Sequence, residues 1–256
     1  MEGNKFEKYA ALLIRRDQLL KEAGILEEEY LREFGDEMYN LYELQVVCIE
    51  LKKKIHFCQA AKNHGEKIDT EKLEDVIEEE MKQYYLELEE LFASVQGVKT
   101  VRTSPQHVVL AVKKKYRELA KMIHPDMHPF TQDDGTLMDL WNRVVEAYHK
   151  NDEDTMDEIE VLIRFRLEEL GYGEDTPFEI EDADEKIFNL SAEIEEIINT
   201  DPYQYKMLFR RTDLLEEKHT ELNNEVNGFL TYKEELEGML QTFLSDGEVT
   251  IIWEMD

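Results

Sequence analysis

The stretch KKKYRELAKMIHPDMHPF, residues 113 to 130, decides how the middle of this chain folds. Its apolar residues recur every three or four positions, which is typical of a helix that buries one face. The proline of the tripeptide HPD, residues 124 to 126, disfavours helical backbone in the residue before it, so the helix must end there. Because Ser104 and Pro105 suit the N-cap and the first helical position, this helix is predicted over about residues 105 to 123.

A second amphipathic helix follows the tripeptide. It is predicted to begin near Thr136, with Asp139 completing a capping box. Its apolar face consists of Leu137, Trp141, Val144, Val145 and Tyr148. Two such helices joined by a loop of about a dozen residues form an antiparallel hairpin, with the tripeptide at its tip.

The first of these helices carries a basic stripe. Lys113, Arg117 and Lys121 lie four residues apart along one flank, and Lys114 widens the stripe. Residues 111 to 123 hold five bases and one acid, a local charge of +4 in a chain whose formal charge is −30. Since lysines four residues apart repel each other slightly, helix stability does not explain the stripe. The pattern favours a binding surface for an acidic partner, with a plain solvated helix face as the alternative.

The composition of the whole chain excludes one class of function. Of 256 residues, 60 are acidic and 30 are basic, whereas sequence-independent nucleic-acid binding depends on Lys and Arg that neutralise phosphates. Only 11 glycines and 5 prolines interrupt a chain rich in Glu, Leu and Lys, which favours long helices. We therefore expect an all-α protein that does not bind nucleic acid.

The two cysteines and the apolar runs indicate the compartment. Cys48 and Cys58 lie ten residues apart in one predicted helix, a separation of roughly 15 Å that is too long for a disulfide. Unbridged cysteines fit a reducing compartment. No apolar run approaches the length of a membrane span, and the first ten residues contain no apolar signal core. A soluble cytoplasmic protein without a membrane segment is predicted.

The N-terminal part is predicted to form a long helical hairpin. A first helix runs from Lys5 to Ala23 and stops at Gly24; one face of it presents Phe6, Tyr9, Leu13, Arg16 and Leu20. The next helix has the alternating three- and four-residue spacing of a coiled-coil seam. That seam contains Leu41, Leu44, Cys48, Leu51, Ile55 and Cys58, with both cysteines as small buried residues.

Gly65 is predicted to end that helix, and Asp69 or Thr70 to cap the following one. The second helix of the pair again runs in heptads, so the two should pack antiparallel. Its seam contains Ile77, Met81, Tyr84, Leu88 and Leu91.

The C-terminal part repeats the heptad theme. Six apolar residues stand at a strict spacing of seven: Leu208, Leu215, Leu222, Phe229, Leu236 and Phe243. A helix of this length exceeds roughly 50 Å and is predicted to pack against the N-terminal hairpin as a three-helix bundle. A homodimer through the same seam is the alternative. The tail EVTIIWEMD, residues 248 to 256, alternates apolar and polar positions and is predicted to be a lone strand or an added edge for a partner.

Three interpretations of the tripeptide are open. His124, Asp126 and His128 alternate and are metal-ligand types, but no helix-borne ligand pair accompanies them, so no metal site is predicted. Anion binding by the stripe lacks a Gly-rich loop, and a hydrolytic His and Asp pair lacks a nucleophile setting. Docking to an acidic protein surface uses both the stripe and the loop.

The residues also carry a resemblance. The segment YRELAKMIHPDMHP resembles helix II and the loop of a J-domain, the DnaJ-type co-chaperone module. The match to its Tyr-Arg-x-Leu-Ala and invariant tripeptide is carried by Tyr116, Arg117, Leu119, Ala120, His124, Pro125 and Asp126. The later WNRVVEAY is similar to the helix III pattern, through Trp141, Val144, Ala147 and Tyr148. The resemblance covers about residues 105 to 150, under a fifth of the chain.

The resemblance implies binding to a DnaK-type chaperone and stimulation of its ATP hydrolysis, with no active site, cofactor or metal in this chain. In that family the basic face of helix II meets an acidic patch, and the Asp of the tripeptide pairs with a chaperone arginine. By position, the chaperone-binding residues are Lys113, Lys114, Tyr116, Arg117, Lys121, His124, Pro125 and Asp126. A client protein would bind the coiled-coil arms. A coiled-coil scaffold or adaptor with an inactive J-like hairpin is the alternative function.

The chain departs from the J-domain pattern before helix II. A J-domain usually opens with a short helix I that carries Tyr-Tyr-x-x-Leu-Gly, and the similar string here is YYLEL at residues 84 to 88. It lies in a heptad helix, so the end of the coiled-coil hairpin is predicted to replace helix I. The predicted regions are residues 1–100 (helical, coiled coil), 101–172 (J-like domain) and 173–256 (coiled-coil helix and tail). The predicted fold is all-α, with a J-like hairpin flanked by long antiparallel coiled-coil helices.

Overall fold

Helices make up nearly all of the part of the chain that the structure, a computed structural model, describes: residues 2–65, 67–100, 104–172 and 182–245. In these ranges the helices are α1 (Glu2–Asn63), α2 (Thr70–Thr100), α3 (Gln106–Ile123), α4 (Pro129–Asp133), α5 (Gly135–Lys150), α6 (Glu153–Glu169), α7 (Ala183–Asn199), α8 (Tyr205–Phe209) and α9 (Thr212–Ser245). The same ranges contain no strand, which confirms the all-α prediction. The tail predicted as a strand, residues 248–256, lies outside the described residues.

None of the described helices combines the length and the apolar character needed to cross a membrane.

The chain packs as two units, each of which combines segments that are distant in sequence. The first contains residues 1–26 and 102–204, and the second contains residues 27–101 and 205–256. The division falls inside α1, whereas the regions predicted from the sequence follow chain order.

In the second unit, α1, α2 and α9 share one core, as the three-helix prediction required. Val46, Ile55, Ile77, Met81 and Leu236 all contribute buried side chains to it. Ion pairs between Lys99 and Asp36 and between Lys53 and Glu80 show that α1 and α2 run antiparallel. Contacts from His219 to Glu37 and from Cys48 to the Phe229 carbonyl show that α9 runs parallel to α1. The seams predicted from heptad spacing are therefore the buried faces.

Both cysteines lie unbridged in this core, at 2% and 0% exposure. The six-residue ladder is interrupted once, because Leu208 belongs to the short α8 and the remaining five belong to α9. Of those five, Leu222, Leu236 and Phe243 are buried. The prediction of one uninterrupted helix was therefore wrong only at its first turn.

Glycines in α1 have different roles. The prediction that Gly24 stops the first helix was wrong, since α1 continues through it to Asn63. A glycine costs a helix only about 1 kcal/mol, and the buried neighbours Ala23 and Leu26 offset that cost. At Gly35, a Cβ atom would lie 2.9 Å from a methyl carbon of Val95, so glycine allows α1 and α2 to approach closely.

In the first unit, α3 and α5 form the predicted antiparallel hairpin. The His124 ring lies 4.7 Å from the Trp141 ring, and Tyr116 stacks on Tyr148 at 4.0 Å, so the helices run in opposite directions. α6 packs across both helices through Met156, Ile159 and Ile163, all fully buried in the same core. The short helix α4, which the sequence analysis did not predict, lies within the connecting loop.

The helix ends differ in detail from the prediction. α3 begins at Gln106 with Pro105 at the N-cap position and no side-chain cap, so Ser104 does not cap it. α5 begins at Gly135, and its cap is Asp134, whose carboxylate accepts a hydrogen bond from the Leu137 amide at 2.8 Å. The predicted capping box at Thr136 was therefore wrong.

Candidate functional site

The HPD loop, residues 124–128, is held in a turn by hydrogen bonds to His124. The amides of Met127 and His128 donate to the His124 carbonyl at 2.9 and 2.8 Å, which forms a tight turn directly after α3. The Asp126 amide donates to His124 Nδ1 at 3.1 Å, and the side chain of Gln132 donates to the Pro125 carbonyl at 3.1 Å. These bonds fix the backbone of the turn and leave the Asp126 side chain 42% exposed at its apex.

His124 is a structural member of the loop, at 4% exposure beneath the Trp141 ring. Because its Nδ1 accepts the Asp126 amide, its proton lies on Nε2, which faces Asp17 Oδ2 at 3.6 Å. Pro125 is buried as well. Of the three residues in the tripeptide, Asp126 alone presents an exposed side chain.

Asp17, on α1, connects the loop to the basic helix. It accepts a hydrogen bond from the Tyr116 hydroxyl at 2.7 Å and lies beside His124 and Arg16. Burial raises the pKa of Asp17, but the neighbouring His124 ring, the hydrogen bond from Tyr116 and the charge of Arg16 outweigh burial, so its pKa lies below the ordinary value. Burial and the Asp17 carboxylate raise the pKa of Tyr116, so Tyr116 remains a neutral donor.

Arg16 stands among three carboxylates. Its Nε and Nη2 donate to Asp17 Oδ1 at 3.0 and 2.9 Å. Its Nη1 lies 3.7 Å from Asp126 Oδ2 and 3.8 Å from Glu193 Oε2 of α7. The guanidinium is therefore anchored on Asp17 and directed at the exposed carboxylate of the HPD loop.

The basic stripe is largely available to solvent. Lys114, Arg117 and Lys121 are exposed, and Lys113 is half-buried. Arg117 donates to the Gln18 side chain at 3.3 Å, and Lys114 lies 4.0 Å from Glu118, so both retain exposed charge. Tyr116, which the resemblance assigns to the binding set, is 2% exposed beneath α1 and lies outside the accessible surface.

Lys115, the fifth base of the segment, has a different role from its neighbours. It lies 2.5 Å from Asp157 and 2.7 Å from Glu160, both on α6. Hydrogen bonds to these two acids raise its pKa to about 12. Lys115 therefore joins α3 to α6, and the stripe consists of the other four bases.

The two histidines of the loop face different partners. His128 Nε2 lies 2.7 Å from the Lys121 carbonyl, so its ring turns back onto α3, and burial lowers its pKa. Within the described ranges, no group of three or more His, Cys, Asp or Glu is arranged to hold a metal ion.

The end of α5 is also held by α1. Lys21, 7% exposed, donates to the Tyr148 carbonyl and to the Asn151 side chain, and its ammonium lies 3.9 Å from the centre of the Tyr148 ring. Asn151 itself adopts the left-handed conformation that ends the helix. Burial, with the nearby charge of Lys113, lowers the pKa of Lys21 to about 8.

Residues 9–19 therefore occupy the place for which the sequence analysis proposed the end of the coiled-coil hairpin, and that prediction was wrong. Tyr9, Leu13 and Leu19 belong to the core that the α3–α5 hairpin forms, whereas α2 belongs to the second unit. Sequence reasoning missed Arg16, Asp17 and Lys21. The available signal was the arginine at position 16, a charge in an otherwise apolar helical pattern.

Compared with family models, with curated proteins and with solved structures, the chain matches none. The likeness to a J-domain rests on the quoted residues. The geometry that bears on function is the hairpin, the fixed turn with its exposed carboxylate, and the basic stripe beside it.

Proposed function

We propose that this protein is a J-domain-like co-chaperone that binds a DnaK-type chaperone and stimulates its ATP hydrolysis. One observation carries the proposal: Asp126 is exposed on a turn that His124 closes, directly after a helix whose exposed flank carries Arg117 and Lys121. A fixed carboxylate beside a basic surface suits a partner that offers an arginine next to an acidic patch.

In this mechanism, the exposed residues contact the chaperone and the buried residues hold the turn. The stripe attracts the acidic partner over distances near the Debye length, which raises the association rate. Asp126 then forms a charge-assisted pair that contributes to the lifetime of the complex. His124 and Pro125 act indirectly, because their burial holds the turn in shape. Catalysis belongs to the chaperone in this mechanism.

The experiment is steady-state ATP turnover by a purified DnaK-type chaperone, titrated with this protein. Wild type is expected to stimulate turnover, and Asp126→Asn is expected to remove most of the stimulation, since losing one member of a desolvated charged pair costs about 2–5 kcal/mol. Asp139→Asn, which neutralises an exposed acid on α5, is the matched control and should behave as wild type. Equal stimulation by wild type and Asp126→Asn would reject the mechanism.

A second candidate is a coiled-coil scaffold or adaptor whose J-like hairpin is inactive. Two observations favour it: Tyr116 is covered by α1, and Asp126 already has Arg16 beside it. If wild type stimulates no chaperone from the same cell, this candidate replaces the first. The two unbridged cysteines support the cytoplasm as the compartment for either function, and under the first function a client would bind the helices of the second unit.

A further inference from the structure

Arg16 stands where the proposed mechanism places an arginine of the chaperone. Its Nη1 lies 3.7 Å from Asp126 Oδ2, and its other nitrogens are anchored on Asp17. The Arg16 side chain is 20% exposed and the Asp126 side chain is 42% exposed, so the pair lies at the rim of the loop. A second arginine that approached Asp126 would meet a cation already in place, and like charges repel.

We propose that Arg16 is an internal latch on the HPD loop, which pairs with Asp126 in the free protein and must release it before a chaperone arginine binds. The inference rests on the proposed function and adds to it the element that regulates access to the site. The anchor on Asp17 explains why Arg16 stays near the loop after release, since two of its nitrogens keep their hydrogen bonds.

Glu193 supplies a competitor to the latch. Its Oε2 lies 3.8 Å from the same Nη1 that faces Asp126, and its side chain is 47% exposed on α7. A carboxylate that draws the guanidinium towards α7 weakens its hold on Asp126. The strength of the latch therefore depends on α7, and substitutions at positions 16 and 193 should change chaperone binding in opposite directions.

The test measures the dissociation constant for the ATP-bound chaperone and the half-saturating concentration in the turnover assay. Arg16→Gln is expected to lower both values about two- to five-fold, because the loss of a partly exposed ion pair changes an equilibrium constant by about this factor. Glu193→Gln is expected to raise both by about two-fold. Arg15→Gln, which makes the same charge change at the exposed neighbouring position, is the control and should leave both unchanged.

Glu193→Gln keeps the pair between Arg16 and Asp17, so it serves as the test if Arg16→Gln is poorly folded. A double-mutant cycle on the free protein adds a measurement that needs no chaperone: the effects of Arg16→Gln and Asp126→Asn on the free energy of unfolding should not add. Additive effects, or unchanged or weaker chaperone binding by Arg16→Gln, would overturn the latch.

The outcomes separate the latch from the proposed function. Stimulation by wild type that is equal in Arg16→Gln and Glu193→Gln rejects the latch alone. Stimulation by wild type that becomes half-maximal at a lower concentration of Arg16→Gln and a higher concentration of Glu193→Gln supports both the latch and the function. If wild type, Arg16→Gln and Glu193→Gln all fail to stimulate ATP turnover, the proposed function is rejected, and with it the role of the latch in regulating that function.

Discussion

The Tyr116 hydroxyl donates to Asp17 Oδ2 at 2.7 Å although the two residues are 99 positions apart in the chain. This bond fastens α1 to the basic helix and places Asp17 beside His124. Asp17, a residue of α1, therefore helps to hold the HPD loop in place.

Asp17→Ala should destabilise the first unit. The substitution leaves the Tyr116 hydroxyl, in a side chain 2% exposed, without its acceptor, and an unsatisfied buried donor costs about 1–3 kcal/mol. Asp17→Asn retains an acceptor oxygen and should cost less. Urea unfolding followed by the fluorescence of Trp141, in a Trp253→Phe background, measures the difference, with the exposed Asp133→Ala as the neutral control.

The same residue predicts a pH dependence. Because its folded pKa lies below the ordinary value of 3.8, Asp17 contributes stability at higher pH, and this contribution is lost as the pH falls through the folded pKa. The difference in unfolding free energy between wild type and Asp17→Asn should shrink as the pH falls below about 4. A difference that stays constant down to pH 2 would contradict the contacts of Asp17 with Tyr116, His124 and Arg16.

Lys21 predicts a second pH dependence, in alkaline solution. Its folded pKa of about 8 lies below the ordinary lysine value of 10.5, so between these values the unfolded chain binds more protons and the unfolding free energy should rise with pH. Lys21→Arg keeps its proton throughout this range and should lack this rise. Thermal unfolding of both proteins at pH 7, 8 and 9.5 compares them; parallel curves would show that Lys21 is not desolvated as its burial indicates.

The basic stripe should govern how fast the chaperone binds. Reversing Lys113, Arg117 and Lys121 to glutamate is expected to slow association by about tenfold or more at low salt, and the deficit should diminish as ionic strength rises. Stopped-flow association at two salt concentrations measures it. Arg143→Glu, which reverses an exposed base on α5, is compared with the single reversal Arg117→Glu and should have a much smaller effect; an effect of equal size would indicate that net charge, and not the stripe, controls binding.

Leu236 should be essential to the second unit. Its side chain is fully buried between α1 and α2, so Leu236→Asp places a charge in an apolar core at a cost of several kcal/mol. Loss of helical circular dichroism at a lower temperature is expected, with Trp141 fluorescence retained in the Trp253→Phe background. Leu230→Asp, at a position 42% exposed on the same helix, should unfold nearly as wild type.

Features that depend on local spacing could be predicted from the sequence. The heptad seams with Cys48, Cys58 and Leu236 are buried as predicted, because helical periodicity alone determines which side chains share a face. The hairpin of α3 and α5 follows in the same way from two amphipathic segments and a proline.

Features that depend on contacts between distant residues could not be predicted from the sequence. Nothing near Tyr116 in the sequence indicates that Asp17 is its partner. Nothing near Gly24 indicates that burial of the residues on either side of it stabilises a continuous helix. Intrinsic preferences of about 1 kcal/mol per residue are outweighed by tertiary burial. Arg16 was visible as a charge among apolar positions, but its neighbours Asp126 and Glu193 are defined only by the fold.

The discontinuity of the first unit has a consequence for biosynthesis. The 99 positions between Asp17 and Tyr116 take roughly 5 to 20 seconds to translate at about 5–20 residues per second. During that time the apolar face around Leu13 and Leu19 has been made, but the helices that bury it have not. Each nascent chain therefore presents an uncovered apolar segment to the cell before the hairpin that completes its core leaves the ribosome.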